Sequence, residues 1–216
     1  MVTIFSESNS IANSFLYELR SKKIQQDSMR FRHNVERIGE MMAFEISKTL
    51  PYSSHKVETP LGIAQVSLPA EKLVIGSILR AGVPLHNGFL RIFDKGGNAF
   101  FSAYRKHHKD GSFEIKMDYM TCPDLDDCIL IIADPMLATG ASTAKVLRAL
   151  KDCGSPSKIH FATIIASKYG VDYINRHFPD VDIWTMAVDE ELTAKSYIVP
   201  GLGDAGDLMF GPKVQE

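Results

Sequence analysis

The sequence predicts an α/β fold built on a central, mostly parallel sheet flanked by helices. Five apolar, β-branched runs carry that expectation: LVIGSI (73–78), NAFFSAY (98–104), CILIIA (128–133), IHFATIIA (159–166) and VDIWTMAV (181–188). Segments with helical spacing separate several of them, which is the alternation of strand and crossover that parallel sheets require. CILIIA is apolar almost throughout, as a strand covered on both faces must be.

The remaining elements follow in chain order. SIANSFLYELRSKK places Phe15, Leu16 and Leu19 on one helical face. From Asp27 to Leu50, the residues Phe31, Val35, Ile38, Met42 and Ile46 recur at spacings of three and four, an amphipathic helix that Pro51 stops. N-terminal helices are therefore expected over about residues 10–50. HKVETPLGIAQVSL reads as two short strands joined at Pro60 and Gly62. In YRKHHKDGSFEIKMDYM, Asp110-Gly111 is a turn signal and Phe113, Ile115, Met117 and Tyr119 alternate with polar residues, so a β-hairpin arm leaving the sheet is expected over about 104–121. PGLGDAGDLMFG (200–211) is too rich in loop formers for regular structure.

Length and composition set limits on function. A chain of 216 residues, 45% hydrophobic and 23% charged, suits one sizeable core, and residues 1–216 are expected to form a single domain. A formal net charge of −2 offers no broad attraction for a polyanion, which disfavours nucleic acid as a partner. No apolar stretch is long enough to span a bilayer, and MVTIFSESNS lacks a signal-peptide pattern, so a cytoplasmic location without membrane contact is expected. Cys122, Cys128 and Cys153 are odd in number and lack metal-site spacing, which suits reduced, buried thiols. His107 and His108 lie among lysines and read as a charged hairpin face.

The chemistry concentrates after CILIIA, in DPMLATGAS (134–142). Asp134 falls at the carboxyl end of a parallel strand, where open α/β sheets bind ligands. Ala138, Thr139, Gly140, Ala141 and Ser142 have little side-chain bulk and lead into STAKVLRALKDC, whose Val146, Leu147 and Leu150 have helical spacing. Unpaired amides at such a helix start favour an anion, and the hydroxyls of Thr139 and Ser142 can add donors, so a phosphate monoester fits. The loop is neither a Walker A sequence nor a dinucleotide fingerprint. The plainer alternative is an N-capped helix after a core strand, with Thr139 or Ser142 as the cap.

This loop resembles the phosphoribosyl-diphosphate (PRPP) motif of type I phosphoribosyltransferases, with Pro135 in the usual second acidic position. Together with ILRAG (78–82), YR (104–105) and YIVPGLGDAGD (197–207), it is similar to uracil phosphoribosyltransferases in particular, from about residue 30 to the C-terminus. The resemblance implies transfer of the phosphoribosyl group from PRPP to uracil, giving UMP and diphosphate. It also implies a C-terminal base-binding hood over about 189–211.

By the same resemblance, Arg80 and Arg105 contact PRPP and its leaving diphosphate, and Asp134 orients the ribose hydroxyls. The stretch Pro135, Met136, Leu137, Ala138, Thr139, Gly140, Ala141 and Ser142 binds PRPP, with Ala138 to Ser142 enclosing the 5-phosphate. Ile198, Gly203 and Ala205 match the uracil-reading positions, where backbone groups can pair with two carbonyls and an N3 donor. Asp204 is assigned to PRPP and the base as electrostatic support. Mg2+ is expected chiefly through PRPP, with no protein ligand set of its own. A homodimer or larger homo-oligomer is expected, and the resemblance leaves a GTP site open.

Two departures stand out. Ala141 replaces a common glycine, which matters only if its backbone needs a positive φ. The arm is more basic than the family's usual stretch. Rival readings are transfer to xanthine, hypoxanthine or orotate, a regulatory relative that senses UMP or PRPP and binds RNA, and an inactive relative.

Overall fold

The computed structural model describes residues 1–107 and 113–213, apart from the side chains of 104–107 and 113–116. The Asp110-Gly111 turn and His108 lie outside the described residues, as do the side chains of Arg105 and His107. Twelve strands occur among the described residues. They are β1 (Val2–Ile4), β2 (Tyr52–Thr59), β3 (Gly62–Pro69), β4 (Lys72–Ile78), β5 (Gly97–His107), β6 (Phe113–Thr121), β7 (Cys128–Ala133), β8 (Met136–Leu137), β9 (Lys158–Ser167), β10 (Val181–Asp189), β11 (Glu191–Leu192) and β12 (Ile198–Val199). The α-helices are α1 (Ala12–Arg20), α2 (Ser28–Ser47), α3 (Gly82–Ile92), α4 (Ala141–Ala149), α5 (Lys168–His177) and α6 (Ala205–Phe210).

The main sheet has the order β1-β10-β9-β7-β4-β5-β6, with β8 adding to β9. Every pair in it is parallel except β5 with β6. The central strand β7 is buried at all six positions, which is why its sequence shows no alternation. Burying side chains such as Leu130 and Ile131 contributes about 1.5–3 kcal/mol each.

Two apolar clusters cover the two faces. On one, Leu16 and Leu19 of α1, Phe31, Ile38 and Met42 of α2, and Leu85 and Phe89 of α3 pack against Ile75 and Ile131. On the other, Ala144, Val146 and Leu147 of α4 and Ile174 of α5 pack against Leu130 and Ile132. The predicted long helix is α2, which Asp27 caps by accepting the Arg30 amide at 3.0 Å.

Four expectations need correction. The N-terminal segment is not helical alone, since β1 adds an edge strand that pairs with Ile183–Thr185 of β10. The hairpin over 104–121 begins inside the main sheet, because Phe100–Ser102 already pair with Tyr119–Thr121. The hairpin that stands clear of the sheet is β2–β3, a separate two-stranded unit of eight residues per strand with nearly every residue exposed. The glycine-rich segment contains the short helix α6, because Asp204 caps it by accepting the Asp207 amide at 3.0 Å and Met209 is buried beneath it. Of the three free cysteines only Cys128 is fully buried.

Candidate active site

The sheet order creates the crevice. Strand β4 has β5 on one side and β7 on the other. Helix α3 leaves β4 toward one face and α4 leaves β7 toward the opposite face, so the chain diverges at the carboxyl ends of these two strands. Ligands of open α/β sheets bind at such a switch point. Arg80 stands in the connection after β4, across a cis Leu79–Arg80 peptide, and Asp134 follows β7.

The loop after β7 is fixed by the neighbouring strand. The Pro135 carbonyl accepts the amides of Ile164 and Ile165, both at 3.1 Å, and β8 pairs with Ile165 and Ala166. Pro135 and Leu137 are buried, while Met136, Ala138, Thr139, Ala141 and Ser142 are partly accessible. The chain enters α4 through Gly140, whose φ of +76° is left-handed and favours glycine. The N-cap position is held by Gly140, which has no side chain with which to cap the helix. The Thr139 hydroxyl instead accepts the Ala141 amide at 3.4 Å. Ala141 is the first helical residue and is absent from the positive-φ positions, so its methyl is accommodated.

Asp134 accepts the Met136 amide at 3.3 Å. Its surface is partly open, yet protein packs closely enough around the carboxyl that burial pushes its pKa up to about 7, against a small lowering by the Met136 amide. A carboxyl poised there can accept hydrogen bonds from paired hydroxyls.

Arg80 bridges the two halves of the crevice. It donates to the Gly211 carbonyl at 3.2 Å, lies 3.6 Å from the Asp207 carboxylate and sits 5.9 Å from the centre of the Phe210 ring. Ala81, Met136 and Ala138 pack on the same cluster as Ile198, Leu202, Ala205 and Met209. The structure therefore brings Arg80, the 134–142 loop and the C-terminal segment together. Ile198 and Ala205 have buried side chains and Gly203 is exposed with φ +95°. The Asp204 carboxylate caps α6 and lies 3.4 Å from Lys213. Arg105 lies on β5, with its side chain outside the described residues.

Two supporting residues escaped the sequence reading. The Ser167 hydroxyl donates to the Ala138 carbonyl at 2.5 Å and accepts the Gly170 amide at 2.9 Å, holding the loop from behind. Arg32 reaches from α2 to the Met209 carbonyl at 2.5 Å. The first carries a readable signal, a serine at the junction of strand and helix. The second pairs residues too far apart in sequence to leave one.

Among the described residues no cluster of three or more His, Cys, Asp and Glu could hold a metal. The crevice nevertheless fits Mg2+ arriving with a phosphorylated ligand. Asp204 and Asp207 supply hard oxygens, and Asp207 Oδ1 is buried without a hydrogen-bond partner.

An arginine and an anion-favouring helix start flank the switch point of a parallel sheet, an arrangement suited to a phosphorylated ligand. A solved hypoxanthine phosphoribosyltransferase from Staphylococcus aureus shares the fold, with a TM-score of 0.50 and 12% identity over 74% of this chain and 76% of its own. The family model described as uracil phosphoribosyltransferase matches residues 6–212. A relative named uracil phosphoribosyltransferase, from Porphyromonas gingivalis, is 51% identical over 207 residues, covering 95% of this chain and 96% of that one. The solved structure of an Aquifex aeolicus protein matches with a TM-score of 0.87 and 30% identity over 100% of both chains. The chain belongs to the uracil phosphoribosyltransferase family.

Proposed function

We propose that the crevice carries out the family's reaction, uracil plus PRPP giving UMP and diphosphate, with the residues in the following roles. The observation that carries the reading is the reach of Arg80 from the connection after β4 to Gly211 and Asp207, which gives the diphosphate side and the base side one shared wall.

The amides of 138–142, aided by Thr139 and Ser142, hold the 5-phosphate, and Asp134 accepts the ribose hydroxyls. Together they fix the anomeric carbon against the incoming base. Arg80 faces the diphosphate, and Arg105 is assigned to it by the family resemblance. Uracil N1 bonds to the anomeric carbon while the bond from that carbon to the diphosphate oxygen breaks, its electron pair leaving with diphosphate. Both arginines balance the charge that develops there. The N1 proton passes to solvent or a nearby acceptor, and Asp204 provides electrostatic support at this end. Asp204 and Asp207 would hold the water shell of Mg2+ arriving with PRPP, which would supply neutralising charge for the leaving group. Backbone groups around Ile198, Gly203 and Ala205 read the base. Cytosine presents a donor and an acceptor in the wrong places, leaving buried groups unpaired.

We infer self-association as well. The β2–β3 hairpin exposes Val57, Val66 and Leu68 on one face and Tyr52 and Ile63 on the other, with Leu61 at its turn, apolar side chains that a second copy would cover. Sedimentation of the wild type against Leu61→Lys/Ile63→Lys checks it. Among the described residues no helix is long and apolar enough to cross a membrane, and the free thiols accord with the reducing cytoplasm.

The decisive experiment incubates the protein with Mg2+, PRPP and uracil, cytosine, orotate or hypoxanthine in parallel and separates the nucleotide products. UMP from uracil alone is expected. Binding of UMP or PRPP without turnover on any base, with or without GTP, would favour the regulatory reading. The acidic net charge already weighs against RNA as its partner.

A further inference from the structure

We propose that Arg20 and Asp189 are positioning residues for the base, clamping both main-chain groups of Gly201 and thereby setting the register in which Gly203 and Ala205 meet uracil. The proposal rests on the functional reading above.

The clamp is a closed set of four bonds. Arg20, the last residue of α1, pairs with Asp189 at the end of β10 through two parallel contacts, Nη2 to Oδ1 at 2.7 Å and Nη1 to Oδ2 at 2.8 Å. The same Nη1 donates to the Gly201 carbonyl at 3.0 Å. The Gly201 amide in turn donates to Asp189 Oδ2 at 2.9 Å. A bidentate arginine–carboxylate pair fixes orientation as well as distance. The Asp189 side chain is 7% exposed and that of Arg20 24%, so the carboxylate is held away from solvent while the guanidinium borders it.

Gly201 is a sensitive point to hold. Its φ is +55°, and a Cβ there would lie 2.2 Å from the Ile198 carbonyl oxygen, so the backbone is already committed to one path. Two residues on, the groups proposed to read uracil belong to the main chain and have no side-chain torsion with which to compensate for a slip. A displacement at Gly201 is therefore passed directly to them.

Simple docking of α1 does not require Arg20. Glu18 already ties that helix to α2, accepting from Arg30 Nε at 2.8 Å and from Asn34 at 2.6 Å. The clamp lies apart from the 134–142 loop proposed to hold the 5-phosphate. An open cavity of about 520 Å³ lies beside it, lined by Arg20, Gly201, Gly203 and Asp204 among others, and includes no residue of the 134–142 loop.

The test compares wild type with Arg20→Lys, Arg20→Met and Asp189→Asn, varying uracil at saturating PRPP and PRPP at saturating uracil. Calorimetric binding of Mg2+–PRPP reports on the rest of the site. Asp189→Asn and Arg20→Met are expected to raise KM for uracil about tenfold to a hundredfold, since small misplacements have effects of that size. KM and Kd for PRPP should stay within about twofold. Arg20→Lys, which keeps the charge beside Asp189 but loses the fork, should fall between wild type and Arg20→Met. Unchanged uracil KM overturns the proposal. So does a parallel rise for both substrates, or loss of PRPP binding in Arg20→Lys and Asp189→Asn, because the pair would then be a general staple. A wild type that makes no UMP removes the functional reading, and the clamp with it.

Discussion

Ser167 and Ala138 are joined by a hydrogen bond of 2.5 Å from hydroxyl to carbonyl, across the gap between the end of β9 and the loop after β8. The same hydroxyl begins α5 by accepting the Gly170 amide. Ser167→Ala removes a helix cap and a loop tether together. It should cost about 1–2 kcal/mol of stability by denaturant titration. The looser loop should raise KM for PRPP more than KM for uracil.

Gly140→Ala tests the loop's geometry from the other end. The new methyl would have to tolerate φ +76° and would stand 2.9 Å from Tyr173 Cδ1. A loss of about 1–2 kcal/mol is expected. Weakened PRPP binding by calorimetry should accompany it, whereas a neutral result would mean that α4 can begin along a different path.

Two buried groups give opposing pH dependences. Burial raises the Asp134 pKa from 3.8 to about 7, so the folded chain holds a proton that the unfolded chain has lost, and stability declines as pH rises across that interval. Burial lowers the His160 pKa from 6.5 to about 4, opposed by Asp182 and assisted by Lys158, so its contribution declines as pH falls through that range. His160 Nδ1 accepts the Trp184 indole N–H at 3.0 Å, a bond that protonation would break. Relative to wild type, Asp134→Asn should make stability rise more steeply with pH between about 4 and 6.5, and His160→Gln should make it fall. Each difference should be on the order of 2 kcal/mol across the window, read from urea midpoints.

Arg80→Ala separates binding from stability. The Arg80 and Asp207 side chains are 46% and 38% exposed, so losing their pairing should change stability by less than about 1 kcal/mol. KM for PRPP should rise strongly. Unchanged kinetics would sink the role proposed for this arginine.

The parts of the fold legible in the sequence are those where many residues share one environment. CILIIA announces a buried strand because all six positions are covered, and α2 announces itself by Phe31, Val35, Ile38, Met42 and Ile46 on one side. Strands β1 and β8 have three and two residues, too few to show a period, and exist because β10 and β9 offer free edges. Helix α6 was hidden by its glycines, although the Asp204 cap was open to reading. The positions of Arg80, Asp134 and the 138–142 loop at strand ends and a helix start were legible locally, whereas the role given to Arg80 came from the family resemblance. The Arg20–Asp189 pair could not, because it closes over 169 residues and neither side chain is unusual where it stands.

That separation also imposes an order in time. Arg20 is synthesised 181 residues before Gly201, roughly 10–40 s earlier at ordinary translation rates. Strand β1 likewise waits for β10 before it can join the sheet. During that interval a nascent chain can assemble the β4–β7 crevice, but the segment proposed to read the base has not yet been made. On the proposed roles, selectivity for the base is acquired last, and retention of uracil by a chain would report that Arg20 and Gly201 have met.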